Sequence, residues 1–130
     1  MARPATEEDY RRCNEDWVET HQNSSAMTAN TAVAVIDHKI DTGEMILLES
    51  VGTNGGRNIK LEIKNKGDLI GEAIFGDMAP LNPADKRYKL KVPYVFEAGD
   101  HLKIYATPAS STGTTYTKFD ARGLKNDNLR

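Results

Sequence analysis

From residue 32 onward the hydrophobic and polar positions fall into short runs divided by turn residues, with no helical stretch between them. The clearest alternation places Ile59, Leu61 and Ile63 on one side and Lys60, Glu62 and Lys64 on the other, the pattern of a strand with one wet face. Leu90 and Val92 against Lys89 and Lys91 repeat it, and Leu102, Ile104 and Ala106 repeat it again after a Gly-Asp corner at Gly99-Asp100. Strands are predicted over Ala32 to Ile40, Met45 to Val51, Asn58 to Lys64, Leu69 to Phe75, Tyr88 to Phe96, His101 to Thr107 and Thr115 to Arg122.

The turns between them place Gly where a positive φ costs least: Asp41-Thr42-Gly43-Glu44, Asn54-Gly55-Gly56 and Asn65-Lys66-Gly67-Asp68. Each is expected to close a hairpin. Longer loops are expected over Gly76 to Arg87, which contains Pro80 and Pro83, and over Pro108 to Thr114. The predicted fold is mostly β, an antiparallel β-sandwich or jelly-roll of seven to eight strands preceded by a short N-terminal helix and an extended arm.

The N-terminal part has a different pattern. Residues Thr6 to His21 are charged and free of Gly, with Thr6 placed to cap a helix and Glu7, Glu8 and Asp9 at the positive end of its dipole. Tyr10, Cys13, Trp17 and His21 recur at three- and four-residue steps, which on a helix would gather them in one stripe. Two roles are open to Trp17: docking on the body of its own chain, or anchoring a neighbouring one. Gln22 to Thr31 is polar, small and without a period, as in a linker or arm. The expected organisation is a helix and arm over residues 1–31, a sandwich body over 32–123 and a polar tail over 124–130.

Composition narrows the classes. A chain of 130 residues suits one domain, able to bury ~65–70% of the surface its unfolded form exposes. With 17 basic and 19 acidic side chains the net charge is -2, which offers no general attraction for nucleic acid or an anionic membrane. The single cysteine, Cys13, has no partner within the chain, consistent with folding in a reducing cytoplasm. Neither a signal-peptide h-region nor a membrane-spanning apolar run is apparent.

Candidate chemistry is sparse. Asp41-Thr42-Gly43 matches the catalytic tripeptide of aspartic proteases, whose small dimeric forms contribute one Asp per chain. Its surroundings differ, with Asp37, His38 and Lys39 before it and Glu44 after, and a turn explains the same residues. His21, His38 and His101 have no metal-ligand spacing, and Gly52 to Gly56 lacks the ending of a phosphate loop, so no cofactor or metal is expected. Tyr88, Tyr94, Tyr105 and Tyr116 fit either core packing or a sugar-binding platform. Lys86, Arg87, Lys89 and Lys91 are the densest basic cluster, readable as a solvated strand face or as a surface for an acidic partner.

Met45-Ile46-Leu47-Leu48-Glu49-Ser50-Val51, the run Asn58 to Lys64, Pro80-Leu81 and Val95 to Ile104 together resemble the small β-sandwich decoration, cement or turret proteins of tailed viruses. The resemblance covers about two thirds of the chain. It implies a non-enzymatic capsid decoration or cement subunit on the outer surface of a viral head, assembled in the host cytoplasm. The implied partner is the major capsid protein or another virion protein, reached as a homo-oligomer, trimer or dimer, with no nucleic acid or membrane. Attachment would fall to the N-terminal arm, with Tyr10, Arg11, Arg12 and Trp17 as contact residues. A carbohydrate-binding module of a virion receptor-binding appendage is the alternative, and a dimeric protease using Asp41 a minor one.

Overall fold

The computed structural model describes residues 2–23, 27–53, 59–75, 87–109 and 117–127. Within them the order is β1 (Arg3–Pro4), α1 (Glu7–Arg12), β2 (Glu15–Asn23), β3 (Val33–Lys39), β4 (Met45–Thr53), β5 (Ile59–Asn65), β6 (Asp68–Phe75), β7 (Arg87–Glu97), β8 (His101–Pro108) and β9 (Thr117–Asn126). Two antiparallel sheets form a β-sandwich, one in the order β1-β7-β4-β9-β2 and the other in the order β3-β8-β5-β6. Every strand predicted from the alternation is present, and the last runs on to Asn126, past its expected end at Arg122.

The core lies between the sheets. Ile59, Leu61 and Ile63 of β5 meet Leu102, Ile104 and Ala106 of β8 and, from the other sheet, Ile46, Leu48, Val51, Phe96, Phe119 and Ala121. Each large aliphatic side chain so removed from water contributes about 1.5–3 kcal/mol before entropy is subtracted. The central strand β4 is buried on both faces: Ile46 and Leu48 enter the core, while Met45 and Leu47 join a second cluster with Cys13 and Val95. That double burial explains the unbroken apolar run Met45 to Leu48.

The predicted helix over Thr6 to His21 requires correction. It ends at Arg12, and Glu15–Asn23 is a strand paired residue for residue with β9, from Glu15 opposite Lys125 to Asn23 opposite Thr117. Trp17 and Glu19 turn inward while Val18 and Thr20 turn outward, so the true period is two. The three- and four-residue spacing of Tyr10, Cys13 and Trp17 is coincidental, because Cys13 already has extended backbone as the helix C-cap. Much of the expected arm is therefore sheet.

The expected hairpins are corrected in part. Asn65 to Asp68 does join the paired strands β5 and β6, with Lys66 and Gly67 both at positive φ, 53° and 93°. The turn at Asp41 to Glu44 instead carries the chain from one sheet to the other, as does the corner at Glu97 to Asp100. Asn54-Gly55-Gly56 lies outside the described residues, as do the loop around Pro80 and Pro83, Tyr116 and most of the loop after Pro108. The strands on either side of Asn54 belong to different sheets.

The Gly-Asp corner is a buried junction. Asp100 is fully buried, accepts from the Glu97 amide at 2.8 Å and from Asn65 Nδ2 at 3.2 Å, and its carbonyl accepts from Ile40 N at 3.0 Å. Asn65 in turn accepts from the His101 amide at 2.9 Å. One aspartate and one asparagine thus tie both sheet crossings to the β5–β6 hairpin. At Gly123 the backbones of β9 and β4 approach so closely that a Cβ would stand 1.8 Å from the Leu47 carbonyl oxygen, so only glycine fits.

Candidate functional site

The outer face of the five-stranded sheet is divided between a covered half and an open half. Residues 2–13 cross the covered half as a strap. Thr6 caps α1 in a reciprocal box with Asp9, and the helix closes with Cys13 N donating to Asp9 O at 2.9 Å. Asp9, 1% exposed, receives Arg3 Nη1 at 2.6 Å and Nη2 at 2.7 Å, and Nη2 also reaches Glu97 at 2.9 Å. The Arg3 hydrogen bonds hold the Asp9 carboxyl well below the usual carboxylate range against the opposing effect of burial, with Thr6 assisting.

Beneath the strap, Cys13 packs with Met45, Leu47 and Val95, flanked by Ala5 and Leu124. Burial pushes its thiol up to about 11. Ala5 N donates to Pro93 O at 2.8 Å, which adds a backbone tether to β7. A six-residue helix is too short to persist alone in water, so these contacts are what give α1 its place.

The open half begins where the strap stops. Tyr10, 41% exposed, donates to Glu49 at 3.3 Å. Glu49 is the extra residue of a bulge in β4, and beyond it the register aligns Val18, Arg122, Ser50 and Lys89 in one row and Thr20, Asp120, Gly52 and Arg87 in the second row beyond, on the same face. Arg87 spans the central strand: its Nη1 donates to Ser50 Oγ at 2.9 Å and its Nη2 to Asp120 at 2.6 Å. Arg122 Nε adds a 3.3 Å contact to the same carboxylate.

The residues expected from sequence to contact a partner separate here. Tyr10, Arg11 and Arg12, consecutive at the end of α1, are all exposed beside this open half. Trp17 does not join them; it is 7% exposed, belongs to the core, and meets His38 edge-on with ring centroids 6.2 Å apart. Of its two roles, the structure shows docking on its own chain.

Sequence reasoning missed a seam of ionisable groups between the edge strands β2 and β3. His38 Nε2 contacts Glu44 at 3.1 Å, and its Nδ1 stands 3.8 Å from Glu19, whose Oε2 is buried and accepts no hydrogen bond. Burial pushes the Glu19 carboxyl above the usual range, with His38 opposing. His101 pairs with Asp37 at the neighbouring position, and that hydrogen bond holds Asp37 below the usual range. The unusual run Asp37, His38, Lys39 was the available signal, but its partners come from β2, β8 and the turn at Glu44.

The remaining candidates have structural surroundings. Asp41 is an exposed turn residue whose amide donates to Glu44 at 3.1 Å. Tyr88 and Tyr94 pack against the core, and Lys64 lies over the Tyr105 ring at 5.0 Å. Among the described residues no group of three His, Cys, Asp or Glu could hold a metal ion, and no helix is long and apolar enough to cross a membrane.

Fold and strap together define an antiparallel β-sandwich protein whose N-terminal segment covers half of one sheet. No family model matches the chain, and no curated protein matches it. Among solved structures it is similar to dimeric latent PorU from Porphyromonas gingivalis, with 12% identity and a TM-score of 0.43 over 88% of this chain and 13% of that one. The chain thus spans a small part of that protein's length.

Proposed function

We infer that the chain is a non-enzymatic structural subunit of a virus particle, a capsid decoration or cement protein attached to the outer surface of a viral head through its N-terminal segment. The reading is carried by one observation: Tyr10, Arg11 and Arg12 are exposed on a helix fixed to the sheet by Arg3, Asp9 and Cys13, with Tyr10 at its border with Glu49. Tyrosine and arginine are the side chains from which interface anchors are most often built, and fixing them before contact lowers the entropy lost on binding. Repetition on a lattice, with the subunit as a dimer or trimer, turns modest single contacts into durable retention. The partner is the major capsid protein or another virion protein.

The test is co-sedimentation of the purified protein with undecorated particles. The triple variant Tyr10→Ala, Arg11→Ala, Arg12→Ala is expected to keep its fold, because all three side chains are exposed, and to lose particle binding. Undiminished binding by the folded variant overturns attachment through this segment, and absence of binding by the parent protein overturns the capsid reading.

A further inference from the structure

We propose that the open half of the outer face of the five-stranded sheet binds an acidic, extended polypeptide segment, gripped between Lys89 and Arg122. This rests on the reading of the chain as an attachment subunit and names the chemistry of its partner. Lys89 on β7 and Arg122 on β9 flank Ser50 of β4 in one register row, two strand spacings or about 10 Å apart. Ser50, only 7% exposed, lies beneath the Arg87 guanidinium, so Lys89, Arg87 and Arg122 form a line of cationic side chains across the sheet. An extended chain presents alternate side chains about 7 Å apart, within reach of this line.

Cationic side chains outnumber the acidic ones on this face, with Arg87, Lys89, Lys91 and Arg122 set against Asp16, Glu49 and Asp120. Among the described residues Lys89 and Lys91 form no ion pair, and both are exposed. Of the acids on this side of the sheet, Asp120 is paired with Arg87, while Glu49 accepts from the neutral Tyr10 hydroxyl and keeps its charge, as does Asp16 at the edge of β2. Asp120 also contacts Arg122 through Nε, and the Arg122 side chain remains 55% exposed. The opposite sheet differs, since Lys60 pairs with Glu62, Lys103 with Asp37, and Lys64 covers Tyr105.

The apolar border selects polypeptide over a phosphate polymer. Val18, 55% exposed, stands beside Arg122 in register, and Tyr10 borders the same face. A cationic centre edged by an exposed aliphatic and an aromatic side chain matches a protein partner, whose apolar side chains add contacts beside the charged ones.

The experiment uses the intact protein and a short fluorescein-labelled peptide of alternating Glu and Leu, followed by anisotropy and by amide shifts in the NMR spectrum. Binding is expected to perturb Val18, Ser50, Lys89 and Arg122, and to weaken at least tenfold, the scale of one lost charged contact, in the double variant Lys89→Ala, Arg122→Ala. Lys60→Ala with Lys64→Ala on the other sheet is expected to change nothing. Absence of peptide binding, shifts confined to the other sheet, or equal affinity for an oligonucleotide of matched charge overturns the proposal. Particle attachment without peptide binding sinks this inference alone, and peptide binding without particle attachment sinks the capsid reading alone.

Discussion

Arg87 on β7 grips Asp120 on β9 across the whole width of the strand between them, passing Gly52, which is in register with both. The bridge couples three strands through side chains where the backbone ladders couple them only in pairs. Each partner is about one-fifth exposed, so the pair is neither freely solvated nor fully desolvated. Asp120→Asn and Arg87→Met are each expected to cost about 1.5–3 kcal/mol in urea unfolding, and the double variant less than their sum. Strictly additive losses would mean the bridge contributes nothing of its own.

The strap should be sensitive to acid. Asp9 titrates below its unfolded-state value, so its contribution is complete above about pH 4 and declines as pH falls further. Asp9→Asn is expected to cost about 2–3 kcal/mol at pH 7, and the difference from the parent should narrow steadily below pH 4. A stability gap that stays constant down to strong acid would refute the linkage.

The opposite sign holds at the seam. Glu19 titrates above its unfolded-state value, so the folded state takes up its proton more readily and charging it with rising pH costs stability. Glu19→Gln should therefore be more stable than the parent at pH 7 by about 0.5–1 kcal/mol, with the advantage shrinking as pH falls toward about 4. Thermal melts across that range measure it; destabilisation at neutral pH would show that the contact with His38 outweighs burial.

Cys13 should be chemically silent in the native protein. Its thiol is 1% exposed and shifted up to about 11, so the thiolate needed for alkylation or disulfide exchange is scarce at pH 8. Labelling with iodoacetamide is expected to be at least about 100-fold slower than for a free thiol and to become ordinary in denaturant. Rapid native labelling would show that the strap opens on the timescale of the reaction.

Removal of residues 1–23 should prevent folding rather than release an intact body. The deletion takes away β1 and β2, strips β9 of its partner along nine positions and removes Trp17 from the core. The expected result is a chain lacking the far-ultraviolet strand signal and dispersed amide resonances. A folded truncated protein would show that the strap and β2 are dispensable.

Sequence pattern and structure agree where the physics is local. The alternation in β5 and β8 reports one dry and one wet face and needs no partner to be read. Strand pairing was less visible, because a glycine turn has the same chemistry whether the chain doubles back or crosses between sheets, as Asp41 to Glu44 does. β2 was hidden because only Trp17 and Val18 among its residues are strongly apolar, and the inward side of Glu19 is defined by His38 on another sheet. The helical, exposed setting of Tyr10, Arg11 and Arg12 was readable from the polar residues around them. Arg87 and Asp120 were not, since they are 33 residues apart in sequence and meet only when β4 lies between them.

The pairing of β2 with β9 also governs the order of assembly. Glu15 lies opposite Lys125 and Asn23 opposite Thr117, contacts between positions on the order of a hundred residues apart. During synthesis β2 emerges early and then waits for β9 before it can enter the sheet. Contacts this distant slow folding, and completion of this edge is expected late on the pathway. Until then the indole of Trp17 faces water, which makes its fluorescence a natural clock for closure of the sandwich.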